Sequence, residues 1–279
     1  MNGLRPDGRA VLRRYRQYRR LARNYRSYAG NKRRHLELSQ PDTRRAGDPE
    51  LLGSIVEDGV AVVREFLPMD VAEQIAREVR PSIEAVADDC YEGPLRSRRE
   101  DEDGVYRLYG VDESLSPSSR SFYRSSLIAR LANSLTEPGM HVADAYVDYK
   151  AKVGGHDLSV DYHIDHWKLR FKAFLLLQDV SEEHAPLVYI VGSHREERWR
   201  RRWDWDYQHR EPVGGVLRPG HVERIRRRYG YEERVLTGRA GDLILANTRG
   251  IHHGTELQRG TRLQLVNLFV MDGPPEYAC

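Results

Sequence analysis

The stretch DYHIDHWKLRFKAFLLLQDV, residues 161–180, decides the reading of the fold. On extended backbone successive side chains alternate between faces, so His163 and Asp165, two apart, point the same way and can meet one small object. The apolar run that follows, Ala173 to Leu177, is the longest in the chain at five residues. That is far short of the roughly 18 needed to cross a membrane, so the run reads as a buried strand. Around it, from His141 onward, short strand-like segments recur at 142–152, 159–165, 170–178, 186–191, 233–237, 242–247 and 261–270. Many short strands late in a chain predict a sandwich or barrel.

Upstream the texture is helical. GVAVVREFL reads as a buried strand over Val60 to Phe66, and residues 68–89 as a helix with Asp70 as N-cap and Pro81 as a kink or break. Residues 92–120 read as a charged loop over one face, and a further helix spans about 119–135, stopped by Pro138 and Gly139.

The chain has 279 residues, two cysteines (Cys90 and Cys279) and a net charge of +3. That length fits one large domain. Two cysteines build no disulfide framework, which suits a reducing, cytoplasmic compartment. The arginine-rich opening lacks the apolar core of a secretory signal. The modest net charge hides an asymmetry: residues 1–34 carry twelve Lys or Arg against one acid, a net of +11, while the rest nets −8. We therefore expect a basic helical arm over residues 1–45, its tyrosines and leucine on one face at three- and four-residue steps, and a single acidic domain over 46–279. The arm either docks on the body or on a second copy of the chain, giving a homodimer, or it contacts nucleic acid or a nucleotide. Docking is the expectation, since charge runs by themselves are weak signals. An insert at about 195–230 opens with REERWRRRWDWDYQHR (195–210), which holds Trp199, Trp203 and Trp205 among arginines. It reads equally as a substrate-covering lid and as an amphipathic helix capping the barrel.

A second histidine in the strand-rich half would complete a 2-His-1-carboxylate triad, the donor set of non-haem Fe(II) oxygenases. His252 and His253 in GDLILANTRGIHHGT (241–255) are the candidates. Arg262 stands ten residues past His252, and a hairpin centred on Leu257 would set the two side by side on one sheet. An arginine fork there suits the distal carboxylate of a chelating diacid, with Thr255 adding a hydroxyl. Lys172 and Lys150 are further cation candidates for that ligand, and Trp167, Trp199 and Trp203 are candidate substrate contacts.

Taken together and in order, YHIDHW (162–167), FKAFLLLQDVSEEHAPLVYIVGSHR (171–195), GDLILANTRGIHHGT (241–255) and Arg262 resemble the phytanoyl-CoA dioxygenase family of Fe(II)- and 2-oxoglutarate-dependent oxygenases. The resemblance implies a mainly β fold with flanking helices, a cupin-like double-stranded β-helix or jelly roll with N-terminal helices. It implies His163, Asp165 and His252 as iron ligands, the last preferred over His253 because it follows Ile251 and keeps the arginine spacing. It implies Arg262 on the far carboxylate of 2-oxoglutarate, and O2 as co-reactant. The reaction implied is oxidation of a C–H bond, by hydroxylation, desaturation or oxidative cleavage, with release of succinate and CO2; the expected substrate is a small metabolite or natural-product intermediate, and the arginine-rich arm and insert favour an anionic one. Asp165 argues against halogenation, which needs a small residue there. Two departures stand beside the site: His184-Ala185 replaces the family's common Asn-Gly, and Val191 replaces a proline before Gly-Ser-His. A non-catalytic metal-binding jelly roll is the alternative reading of the same residues.

Overall fold

Strand β1 (Val60–Val63) follows helix α1 (Pro49–Glu57) and precedes α2 (Met69–Ala87), in a computed structural model that describes residues 29–30, 32–33, 47–100, 104–111, 115–136, 139–155, 159–209 and 215–271. The expected arm helix, and with it dimerisation through that helix, lies outside these residues. Asp48 caps α1, accepting from Leu51 N at 2.9 Å. Pro68, rather than the expected Asp70, occupies the N-cap of α2, and Asp70 falls in its first turn. Pro81 does not end α2. The stripe of Ala72, Ile75, Ala76, Val79, Ile83 and Val86 runs through it and is buried, and that packing outweighs one lost backbone bond.

Residues 92–120, expected as loop, instead contain β2 (Ser97–Glu100) and β3 (Val105–Tyr109), a hairpin added to the edge of the main sheet. The expected helix over 119–135 is broken into a 3-10 turn (Pro117–Ser119), α3 (Arg120–Tyr123) and α4 (Ser126–Ser134). The break falls at Ser125, whose hydroxyl accepts from Ile128 N and caps α4. There follow β4 (Met140–Lys150), β5 (Arg170–Leu176), β6 (Leu187–Ile190), α5 (Arg198–His209), α6 (Pro219–Tyr229), β7 (Glu233–Leu236), β8 (Leu243–Asn247), β9 (His252–Gly254) and β10 (Arg262–Met271).

The strands form two antiparallel sheets, one of seven in the order β1-β8-β5-β10-β4-β3-β2 and one of three in the order β7-β6-β9. This is the expected jelly roll, mainly β with flanking helices. The period of two explains why FKAFLLL carries no polar alternation. Phe171, Ala173 and Leu175 join the core beneath the helices with Ile75, Val79 and Leu131. Phe174 and Leu176 point the other way, into a second core with Tyr146, Tyr189, Ile244 and Val266 between the sheets. Lys172 shares the face of Phe174 and Leu176, so the alternation alone sends its ammonium inward.

The expected hairpin joining His252 to Arg262 does not form. β9 pairs with β6 in the small sheet, whereas β10 pairs with β4 and β5 in the large one. Leu257 bridges to His184 instead of turning a hairpin. The chain crosses from one sheet to the other between the two residues, so they approach the same space from opposite walls. Residues 159–165 form no continuous strand either; His163 makes isolated bridges to His252 and Val216.

Candidate active site

His163 and His252 are held as a pair by their backbones, each amide donating to the other's carbonyl at 2.9 and 3.0 Å. Asp165 N donates to Thr248 O at 3.2 Å, extending the same alignment. The side chains follow. Nδ1 of His163 lies 2.8 Å from Asp161 O, and Nδ1 of His252 lies 2.9 Å from Gly250 O. A carbonyl only accepts, so both Nδ1 atoms carry a proton, and in the neutral ring it is Nε2 that offers its lone pair to a metal. Those Nε2 atoms face Asp165 Oδ1 at 3.8 and 3.6 Å, and one donor atom from each residue lies within 4.8 Å of the others. Two neutral imidazole nitrogens and a carboxylate oxygen converging on one point are a donor set for a divalent transition metal, tautomers already fixed by outer partners.

Electrostatics keep the set in its ligating form. Burial, reinforced by His252, lowers the His163 imidazole to about 3. Burial works against the Asp165 carboxylate, but Lys172 and the histidines more than offset it and hold the group well below its ordinary range. Lys172 Nζ is 2.8 Å from Asp165 Oδ2, the oxygen turned away from the histidines. Tyr189 stacks on the His252 ring at 6.4 Å and gives its hydroxyl to Asn247 O at 2.8 Å. A side chain at Gly250 would collide with that Tyr189 ring, so the close approach requires glycine before Ile251-His252.

His253 turns the other way, stacked on Tyr162 at 4.4 Å with Nδ1 2.7 Å from Gly254 O. The alternation at β9 therefore selects His252.

The triad opens on a cavity of about 450 Å³ between the sheets. Across it stands a second polar group. Arg262 Nη2 donates to Asp148 Oδ2 at 2.6 Å, and its Nη1 donates to Ala185 O. Arg107 Nε donates to Asp148 Oδ1 at 2.8 Å, and Gln264 Nε2 to Oδ2 at 3.1 Å. Register accounts for this: Asp148 pairs with Gln264 on one side and Arg107 on the other, and Arg262 is opposite Lys150. Burial would raise the Asp148 carboxyl, yet Arg107, Arg262 and Lys150 hold it well below its usual range. Arg262 Nε remains buried without a hydrogen-bond partner. Phe174, Leu187 and Val216 supply apolar wall.

The structure thus brings His163, Asp165, His252, Arg262 and Lys172 to one cavity. It does not bring the tryptophans there. Trp199 and Trp203 pack with Ile164, Ile190, Leu217, Val222, Ile225 and Ile251 in a third apolar cluster. The lid expectation is replaced by the capping-helix one, because Ile251 turns its side chain away from the cavity and α5 covers it. Trp167 is buried outside the lining residues, with its carbonyl accepting from Arg249 Nε at 2.9 Å. Thr255 is likewise not in the lining, and its Oγ1 is buried without a hydrogen-bond partner. Arg107, Gln264 and Arg249 escaped the sequence reading; Tyr146, Asp148 and Lys150 alternate along β4 and so share one face, which is where Arg107 and Gln264 meet Asp148.

Ala185, at the position where glycine is common in resembling chains, takes φ 53°, a left-handed conformation that a Cβ disfavours. Its carbonyl is the one Arg262 holds.

A model of the phytanoyl-CoA dioxygenase (PhyH) family matches residues 55–258. No curated protein matches the sequence. Among solved structures, the epimerase SnoN in complex with Fe3+, alpha ketoglutarate and nogalamycin RO aligns with TM-score 0.56 at 16% identity, over 82% of this chain and 91% of its own. EctD from S. alaskensis with 2-oxoglutarate and 5-hydroxyectoine aligns with TM-score 0.61 at 14% identity, over 83% and 78%. HygX from Streptomyces hygroscopicus with nickel and 2-oxoglutarate aligns with TM-score 0.52 at 18% identity, over 82% and 87%. At these identities the likeness establishes the fold.

Proposed function

Because this chain belongs to the phytanoyl-CoA dioxygenase family and is a non-haem iron, 2-oxoglutarate-dependent oxygenase, we propose that His163, Asp165 and His252 hold the Fe(II) and that Arg262 takes the distal carboxylate of 2-oxoglutarate. The observation that carries the assignment is the convergence of two proton-free Nε2 atoms and one Asp165 oxygen, each histidine fixed by a carbonyl behind it. Bound iron supplies activation of O2 coupled to decarboxylation of 2-oxoglutarate, yielding succinate, CO2 and an oxidised substrate C–H bond.

The chain's own residues set the stage for that chemistry. His163 enters neutral because burial lowers its imidazole, so it needs to lose no proton before binding metal. Lys172 holds the outer oxygen of Asp165, which favours coordination through one oxygen only and keeps neighbouring positions free. From the same place it is a cation in reach of the cosubstrate, whereas Lys150, on β4 with β10 between, is not among the residues that line the cavity. Asp148 aims Arg262 into the cavity by fixing one edge of its fork, leaving other N–H groups for a carboxylate. Phe174, Leu187 and Val216 exclude water from the space beside the triad.

We assign the substrate to small molecules, since 450 Å³ must serve both cosubstrate and substrate. A metabolite or natural-product intermediate fits, and the structural relatives SnoN and EctD are crystallised with nogalamycin RO and 5-hydroxyectoine. We read the chain from about residue 46 onward as one jelly-roll domain, and its two cysteines suit a reducing cytoplasm. No helix among the described residues is long and apolar enough to cross a membrane.

Anaerobic titration of the protein with Fe(II) and 2-oxoglutarate tests the reading. A visible metal-to-ligand charge-transfer band, and succinate release on admitting O2, are expected; absence of both sinks it. Asp165→Ala should lose the band and the succinate together. Release of succinate stimulated by members of a metabolite library then identifies the substrate.

A further inference from the structure

Behind the triad lies a buried ionic cluster that takes no part in the proposed chemistry. Arg249 is three residues before His252, and its guanidinium reaches four acceptors. Nε donates to Trp167 O at 2.9 Å, Nη1 to His194 O at 3.2 Å, and Nη2 to Glu196 at 2.6 Å and Asp204 at 3.3 Å. Trp167 is two residues past Asp165, so this one side chain ties the segment carrying Asp165 to the loop carrying His252. The acids that hold Arg249 are themselves held from a distant part of the chain. Lys32 Nζ lies 2.7 Å from Glu196 Oε1 and 2.7 Å from Asp204 Oδ2. Lys32 is 5% exposed, Asp204 0% and Arg249 6%.

A lysine is almost never buried unless its charge is matched, and holding its long stem in one geometry costs rotamer entropy. The cluster repays this by sharing. With Lys32 in place, Glu196 offers Oε1 to Lys32 and Oε2 to Arg249, and Asp204 is divided among Lys32, Arg249 and Arg200. Without it, Glu196 keeps Arg249 and, at 3.8 Å, Arg201 Nε, and Asp204 keeps Arg249 and Arg200, so a larger share of both acids falls on the guanidinium that spans the Trp167 and His194 carbonyls.

From this geometry we propose that Lys32, in the basic N-terminal segment, is a positioning residue for the metal site: it pegs Glu196 and Asp204, and through them Arg249, and so fixes the spacing of Asp165 and His252. The inference rests on the ligand set proposed above. It joins the basic segment to the catalytic body through at least one cation and makes residue 32 part of the machinery that holds the site.

The test is Co(II) binding to the full chain, a probe that reports on ligand geometry without turnover. Wild type, Lys32→Met and Lys32→Arg are titrated with Co(II), the d–d absorption is recorded, and the thermal midpoint of each metal-free protein is measured. Lys32→Met, which keeps bulk and removes charge, should weaken Co(II) binding by roughly tenfold and change the d–d spectrum. Lys32→Arg should restore most of the affinity, because a guanidinium can still bridge the two acids. If Lys32→Met lowers the thermal midpoint while Co(II) affinity and spectrum match wild type, Lys32 is a structural peg alone and the proposal is overturned. Should Lys32→Met not fold, Glu196→Gln, on the more exposed edge of the cluster, is read the same way, and unchanged Co(II) binding there is equally fatal. Wild type failing to bind Co(II) would overturn the ligand set and this inference with it, whereas wild-type binding with indifferent variants overturns this inference only.

Discussion

Asp148 shows how much one side chain organises here. It is buried between Arg107 and Arg262, so a neutral amide in its place would leave two guanidiniums facing each other without a carboxylate. Asp148→Asn is expected to cost about 3–5 kcal/mol of stability in a denaturant melt. Its kinetic signature should be a raised KM for 2-oxoglutarate with Co(II) affinity near wild type, because Arg262 is disoriented while the triad is untouched. Arg262→Gln should raise the same KM by at least about tenfold, the loss of a charge-assisted pair of about 1.5–3 kcal/mol. A kcat loss with unchanged KM would place the cosubstrate elsewhere. At this scale the sequence was legible where chemistry is local. His163 and Asp165, two apart, meet at one point as their spacing suggests, held there by the backbone bonds of His163 to His252 and of Asp165 to Thr248 rather than by a continuous strand. Arg107 and Gln264 were not legible, since their meeting at Asp148 depends on which strands become neighbours.

The elements around the site carry their own couplings. Glu78 on α2 accepts from Ser116 Oγ at 2.5 Å and from Ser118 Oγ at 2.6 Å and N at 3.2 Å, tying the 3-10 turn to the helix. Burial is the largest single effect and works against its charge, but the hydrogen bonds from Ser116, Ser118 and Gln74 together prevail and lower its carboxyl from 4.5 to about 2. A carboxylate with a depressed folded pKa stabilises above its unfolded value and loses that contribution as pH falls through the folded one. The stability difference between wild type and Glu78→Gln should therefore be full above pH 4.5 and shrink toward zero near pH 2, followed by thermal melts across that range. A difference independent of pH would mean that the hydrogen bonds alone hold the turn. The strand run 170–176 was readable from its composition, and Pro81 misled because a local rule about helix breaking met a long apolar stripe. The β2–β3 hairpin was hidden for a different reason: SRRE is fully polar, and only its pairing with β3 at the edge of the sheet makes it a strand.

Over the whole molecule, three histidines, His194 buried and His163 and His166 half-buried, make folding sensitive to mild acid. Burial lowers His163 to about 3, His166 to about 3 and His194 to about 4, all from 6.5. Each is neutral in the folded state while the unfolded chain takes up a proton below 6.5, so stability present at neutral pH falls as pH drops toward those folded values. The metal-free protein should be less stable at pH 5 than at pH 7, by on the order of 1 kcal/mol per pH unit for each histidine once below 6.5. Urea melts at the two pH values measure it, and equal midpoints would refute buried neutral imidazoles. The sequence by itself determined the chemistry: two histidines, an aspartate and an arginine in a strand-rich chain, in an order that selects iron and a diacid. It also determined which face each presents, because alternation along a strand is a local property. Only the tertiary structure decided how they meet. His252 and Arg262 lie on different sheets, Asp148 is shared between neighbouring strands, and Lys32 reaches an aspartate 172 residues away. Such contacts are fixed by sheet pairing and by the burial of charge, which belong to the folded whole and leave no periodic trace along the chain.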